Sequence, residues 1–349
     1  HIGSVDPYAL KIPARRAEFC SLRRALALHF TLNRNTGGIP QTRDRADITR
    51  RCTGNQPHSG QITVQFCVDI RAQILQRIST TPGHGTEDTA LSLLALRKNR
   101  ANPSELIRVQ RPAGGWSEFT NIGPPSAFHT ALALLALRPY PAWVMKGAAD
   151  SGFQWLHELR GRESHWLWQW KFRLFDRQVQ FDPSKSGWPW IPGTVSWVGP
   201  TTLSILAHRA WRQKSTRLVS AEGMLLDRAC PQGGWNAGNS VVFGVSLDPH
   251  PDFTAMAVLA LRDSIHAQKM IVRQSLDYLA NRFNASLSPY SLAWALMAVA
   301  AYDHPRADHL RTRLEQAVMF RVSELPNRIL ALAALALEEP CYTFREPTR

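Results

Sequence analysis

Three stretches carry residue types that can do chemistry. In His84-Gly-Thr-Glu-Asp-Thr-Ala90, two carboxyls, Glu87 and Asp88, stand together just ahead of an apolar run. Acidic residues in that place complement the positive end of a helix dipole. In Ser246-Leu-Asp-Pro-His-Pro-Asp-Phe253, the residues Asp248, His250 and Asp252 alternate with prolines. The prolines keep the backbone extended, so alternate residues can face one way, and their types suit a weak metal site as well as a solvated turn. His129 precedes a second apolar run, where it either faces a cavity or is a capped or core histidine. There is no phosphate-binding glycine loop, no Gly-x-Ser-x-Gly and no His-Glu-x-x-His.

The elements that position these residues come from an internal repeat. One phrase recurs six times: TALSLLAL (89–96), TALALLAL (130–137), TTLSILAH (201–208), TAMAVLAL (254–261), LAWALMAV (292–299) and RILALAAL (328–335). Each is rich in Ala and Leu, free of Gly and Pro, and apolar on nearly every face, which predicts a buried helix. Between them, 142–159, 217–229, 265–283 and 308–321 carry charges on one side and apolar residues on the other, which predicts amphipathic outer helices. Only NPSELIRVQR (102–111) is left for an outer helix between the first two phrases. Six buried helices ringed by solvated ones make an all-α, closed barrel rather than an open solenoid. HWLWQWKFRLF (165–175) is an aromatic insertion in a long interval.

The loops repeat too. PAGGWSEF (112–119), SGWPWIP (186–192) and PQGGWNAGN (231–239) precede the second, third and fourth phrases. Gly-Gly-Trp loops before T-A-L-x-L-L-A-L helices resemble the prenyltransferase and squalene-oxidase repeat (QW type). That repeat builds squalene–hopene cyclases, class II terpene cyclases and protein prenyltransferase β subunits. The resemblance covers roughly 80–338 and implies a single (α/α)6 toroid around a mostly apolar cavity. It divides the chain into an arginine-rich, poorly specified segment 1–79, the toroid 80–338 and a tail 339–349.

The resemblance also implies roles. Class II cyclases place an Asp-x-Asp-Asp acid just before a Thr-Ala helix start. The matching stretch sets Asp88 on the last acid, Glu87 on the central one and Gly85 where the first would be. Glu87 and Asp88 are therefore the catalytic candidates, as donors of a proton to an isoprenoid. Trp116, Phe128, His129, Trp188, Trp190, Trp197 and Trp235 are the cavity or rim residues, their aromatic faces suited to cations. In the family, tryptophans at the positions of Trp116, Trp188 and Trp235 cap the inner helix and stiffen the rim. No cofactor is implied for such a cyclase. Two other readings stand beside it: a non-catalytic toroid that binds a lipid or protein, and a zinc-dependent prenyltransferase β-like subunit. The prenyltransferase's Asp-x-Cys ligand pair is absent, as is the class I Asp-Asp-x-x-Asp.

Composition narrows the field further. With 349 residues, 44% hydrophobic and 19% charged, the chain can bury a large core and does not read as disordered. Its longest apolar runs, such as Ala131–Leu137, stop far short of a membrane span, and 23–32 is too short for an export signal. The expected location is cytoplasmic, with peripheral membrane contact left open. Five cysteines without a Cys-x-x-Cys point to a reducing compartment and away from structural zinc. Of the net charge of +14, about half sits in the first 80 residues. No nucleic-acid-binding pattern accompanies it, so it reads as a solvated basic segment and not as a nucleic-acid site.

Overall fold

The computed structural model describes residues 59–99, 101–120, 122–174, 181–281 and 287–338. Over these it is all-α with one two-stranded sheet. The helices are α1 (Ser59–Thr80), α2 (Thr86–Ala95), α3 (Ser104–Arg108), α4 (Ala127–Leu137), α5 (Ala142–Glu158), α6 (Trp166–Leu174), α7 (Val198–Ala210), α8 (Arg217–Asp227), α9 (Pro251–Leu261), α10 (Met270–Asn281), α11 (Pro289–Ala301), α12 (Ala307–Val318) and α13 (Asn327–Glu338). The hairpin pairs β1 (Val241–Val242) with β2 (Val245–Ser246). Most of 1–79 and all of 339–349 lie outside the described residues. The part of 1–79 that is described is not irregular: α1 runs from residue 59 and packs on α13 and α2.

The six repeated phrases lie in α2, α4, α7, α9, α11 and α13. Each of these helices packs against the next, and α13 packs back on α2, so the contacts close into a cycle. Every residue of α4 is buried, as the all-round apolar phrase predicts. The amphipathic helices flank the cycle: α5 on α4, α8 on α7, α10 on α9 and α11, and α12 on α11 and α13. The weakest outer element is α3, five residues long, as the short interval before the second phrase anticipates.

The tryptophan loops repeat one hydrogen-bond pattern three times. The amide N–H groups of Trp116, Trp188 and Trp235 each donate 2.9 Å to the hydroxyl of Thr130, Thr201 and Thr254, the first residue of the following phrase. Their indole N–H groups donate to carbonyls of the preceding outer helix, Leu106 at 2.7 Å, Leu156 at 2.9 Å and Leu225 at 2.6 Å. Each indole is fully buried, so it wedges outer helix to inner helix with no polar atom left over. Glycine precedes each tryptophan because a β-carbon there would collide with the facing loop or helix, for example with Thr201 at Gly187 and Pro249 at Gly234.

The same loops join neighbouring repeats. The residue two beyond each tryptophan accepts from the first amide of the preceding inner helix: Thr86 to Glu118 at 2.8 Å, Ala127 to Trp190 at 2.9 Å and Val198 to Ala237 at 2.9 Å. Three of the orphan donors that a helix start leaves open are satisfied in this way. The bonds also show that the N-termini of α2, α4 and α7 lie at the same end as the tryptophan loops.

Candidate functional site

A cavity of about 310 Å³ opens at that end. It is lined by Glu87, Glu118, Phe128, His129, Trp190, Asp252, Phe253, Met256 and Tyr290. Most of these come from the first turns of α2, α4, α9 and α11. The second residue faces inward in four of the six inner helices, where Glu87, Phe128, Asp252 and Tyr290 hold that place, whereas Arg328, which holds it in α13, does not line the cavity. Gly199 holds it in α7, where a β-carbon would press on Phe253. A missing side chain there leaves room for the ring that fills it.

Glu87 is partly buried, and its Oε1 accepts a 3.1 Å hydrogen bond from the Tyr290 hydroxyl. Burial raises its pKa above the ordinary value; the Tyr290 bond and Arg328 oppose that, while Asp88 and Glu118 add to it. Tyr290 itself is pushed well up, first by burial and then by Glu87. His129 is buried, its Nδ1 lies 2.7 Å from the Ser126 hydroxyl, and burial pulls its pKa down to about 4. It is therefore neutral at pH 7. Phe128 stacks on Trp190 with ring centroids 4.9 Å apart. None of the nine lining residues is Lys or Arg.

The structure separates the two acids that the sequence places together. Asp88 is buried but does not line the cavity. Its two oxygens accept the amide N–H of His84 at 2.9 Å and of Arg328 at 2.9 Å. It brackets the starts of α2 and α13. Adjacent helical residues point about 100° apart, and here Asp88 is turned to the two backbone amides while Glu87 lines the cavity.

The other candidates divide similarly. Trp190 and Phe128 form cavity wall, whereas Trp116, Trp188 and Trp235 are wedged between inner and outer helices and do not line it. Trp197 stands at the N-cap of α7 with its ring against Gly238. Asp248 and His250 are exposed, and only Asp252 reaches the cavity. Among the described residues no group of three or more His, Cys, Asp or Glu side chains could hold a metal ion. The cavity is also less apolar than the resemblance implies, since five of the nine lining residues are Glu, Asp, His or Tyr.

Sequence reasoning passed over Glu118, Phe253, Met256 and Tyr290. For Tyr290 a signal existed. Glu87, Phe128, Asp252 and Tyr290 each precede the first residue of a repeated phrase by two. The register of the repeat thus marks the inward position, once the helices are known to begin three residues before the phrase. Glu118 carries a mark of another kind: like Trp190, it stands two residues beyond a loop tryptophan, and both line the cavity.

No family model matches the chain, and no curated relative matches it. Among solved structures it is similar to a crystal structure of a mutant α2-macroglobulin from Salmonella, at 14% identity and a TM-score of 0.45, over 76% of this chain and 17% of that one. The match spans about a sixth of the macroglobulin's length, and a likeness of that degree carries no argument here. No helix among the described residues is long and apolar enough to cross a membrane.

Proposed function

We propose that the cycle of helices is an (α/α)6 toroid of the terpenoid-cyclase type, and that its cavity takes up an isoprenoid which Glu87 protonates. One observation carries the reading. A carboxyl whose pKa is raised by burial faces aromatic rings and two further carboxyls in a cavity with no cationic side chain in its lining. A raised pKa keeps the proton on Glu87 to higher pH. Transfer to an alkene carbon leaves a carbocation. The faces of Phe128, Trp190 and Phe253 and the carboxylates of Glu118 and Asp252 supply the negative potential it needs. Loss of a proton from a neighbouring carbon to one of those carboxylates, or back to Glu87, completes an isomerisation or cyclisation.

The volume limits the substrate. A volume of about 310 Å³ is room for about ten groups of water size, at roughly 30 Å³ each in the liquid, so a short isoprenoid is the substrate proposed. A non-catalytic binding toroid is the second reading, favoured by Gly85. The family's first acid is replaced there by a glycine with φ of 103°, a conformation unfavourable to Asp.

The test is incubation of the full chain with linear isoprenoids graded from monoterpene to triterpene size, followed by gas chromatography–mass spectrometry. A cyclised or isomerised short product, lost in Glu87→Gln and reduced in Tyr290→Phe, supports the acid. Unchanged substrates with saturable binding select the second reading.

A further inference from the structure

The aromatic insertion is unused by the cavity chemistry. Trp166, Leu167, Trp170 and Leu174 fall on one face of α6, and all four are exposed, Trp166 at 63% and Trp170 at 64%. The opposite face is the seat: Phe172 packs on Phe181 with centroids 5.0 Å apart and lies 6.0 Å from Trp168. Lys171 and Arg162 lie over the Trp168 ring at 4.5 and 5.2 Å. The helix is held beside the cavity by the turn before it. The Arg162 amide donates to Thr194 at 3.0 Å, and the buried Glu163 carboxylate accepts from the Ser196 amide at 3.0 Å. Both partners belong to the loop that carries Trp190, the cavity wall.

A second apolar feature stands at the same end. The β1–β2 hairpin, in the loop before α9, turns through Phe243 (φ 51°) and Gly244 (φ 76°). Positive φ at both central residues makes this a type I′ turn, which favours Asn-Gly. Phe243 is instead an aromatic residue in the left-handed region, 71% exposed at the tip. Such strain at an exposed position points to a use outside the fold.

We infer that this end of the molecule docks on an anionic lipid surface, with α6 lying in the headgroup plane and the Phe243 tip inserting beside it. A helix with tryptophans on its outer face and lysine and arginine at its flank is the composition of an interfacial helix. The exposed cations Arg160, Arg162 and Lys171 complement anionic headgroups. Docking there sets the cavity mouth against the bilayer, the source of apolar molecules. The inference stands whether or not Glu87 transfers a proton.

Co-sedimentation of the full chain with phosphatidylcholine vesicles, with and without phosphatidylglycerol, tests it. Binding to the phosphatidylglycerol vesicles is expected, weakened on the order of tenfold by the double variant Trp166→Ser/Trp170→Ser. Phe243→Asn is expected to weaken binding too. Because Asn suits the turn, its loss of binding cannot come from a lost fold. Trp143→Ser, in the loop-distal start of α5, leaves binding unchanged. No sedimentation, or binding that both α6 and hairpin variants retain in full, overturns the proposal.

Discussion

Two arcs of the helix cycle use the same apolar phrase but are tied down differently. From α2 to α9, each junction is a buried tryptophan loop whose bonds run to backbone carbonyls, a threonine hydroxyl and the neighbouring helix start. From α11 to α13 no such loop occurs among the described residues. There α11 starts on the Ser288 hydroxyl, which accepts from the Ser291 amide at 3.1 Å, with Pro289 in the first turn. The start of α13 is held by Asp88 and by Asn327, whose side chain donates to the Thr81 carbonyl at 2.8 Å. Its far end is held by charge: Glu338 pairs with Arg71 at 2.8 Å, Arg97 at 3.1 Å and Lys98 at 2.6 Å. One arc is closed by geometry-specific tryptophan wedges, and in the other ion pairs fasten the last helix to the first. The cycle must join its ends in space without joining them in sequence, and charged side chains do this where no loop can.

The contrast is sharpest where it is broken by truncation. Trp235→Ala empties a fully buried site and strips the indole's hydrogen bond from the Leu225 carbonyl of α8. A loss of about 3–5 kcal/mol is expected, enough to unfold a marginal domain, and urea titration followed by circular dichroism measures it. Thr254→Val keeps the volume but leaves the Trp235 amide buried without its acceptor. It is expected to cost about 1–3 kcal/mol in the same titration, largely independent of salt.

The charged arc responds to conditions instead. Burial disfavours the ionised form of Glu338, but Lys98, Arg97 and Arg71 outweigh it and hold the carboxyl below its usual range. Its stabilisation is present above the ordinary carboxylate pKa and is lost as the pH falls through the lowered folded value. Glu338→Gln is expected to cost about 1 kcal/mol at pH 7 and low salt. The difference from wild type should shrink in high salt and in acid, as melting curves across a pH series would show; a salt-independent difference removes the ion-pair account.

The first arc has its own pH dependence, from buried histidine. Burial pulls His129 and His208 from 6.5 to about 4. Both must charge on unfolding in acid, so stability is expected to fall as pH drops from 6.5 toward 4. His208→Gln should flatten part of that fall. The smallest effect concerns the site. Glu87 has a raised folded pKa, so ionising it opposes folding above the ordinary carboxylate range. Glu87→Gln, which can still accept from Tyr290, is expected to raise the melting temperature slightly at pH 7 and not at all in strong acid.

The ease of reading differed between residues for physical reasons. The six inner helices were legible because an Ala/Leu phrase apolar on all sides has one stable destination. The starts were not: each helix from α2 to α11 begins three residues before its phrase, since loop and cap bonds, not apolar pattern, set a helix terminus. Trp116, Trp188 and Trp235 were legible as fold elements from the glycine before each and the threonine after. Trp190 and Trp197, seven residues apart in one loop, diverge to cavity wall and N-cap because a loop has no period to predict where its side chains point.

The amino-acid sequence by itself determined the all-α class, the six-fold repeat, the tryptophan loops before its helices and the amphipathic outer layer. These rest on local rules, the helical period and the contact of loop with adjoining helix. Only the tertiary structure decided that Glu87 looks into the cavity while Asp88 brackets α13, and that Tyr290, 203 residues away from Glu87, donates to it. It also decided that Asp252 joins them while Asp248 and His250 stay in solvent. Those outcomes depend on how each helix is rotated in the cycle. The register of the repeat puts Glu87, Asp252 and Tyr290 at equivalent positions, but which way that position faces, and which of these side chains meet, is set by packing on neighbours distant in sequence.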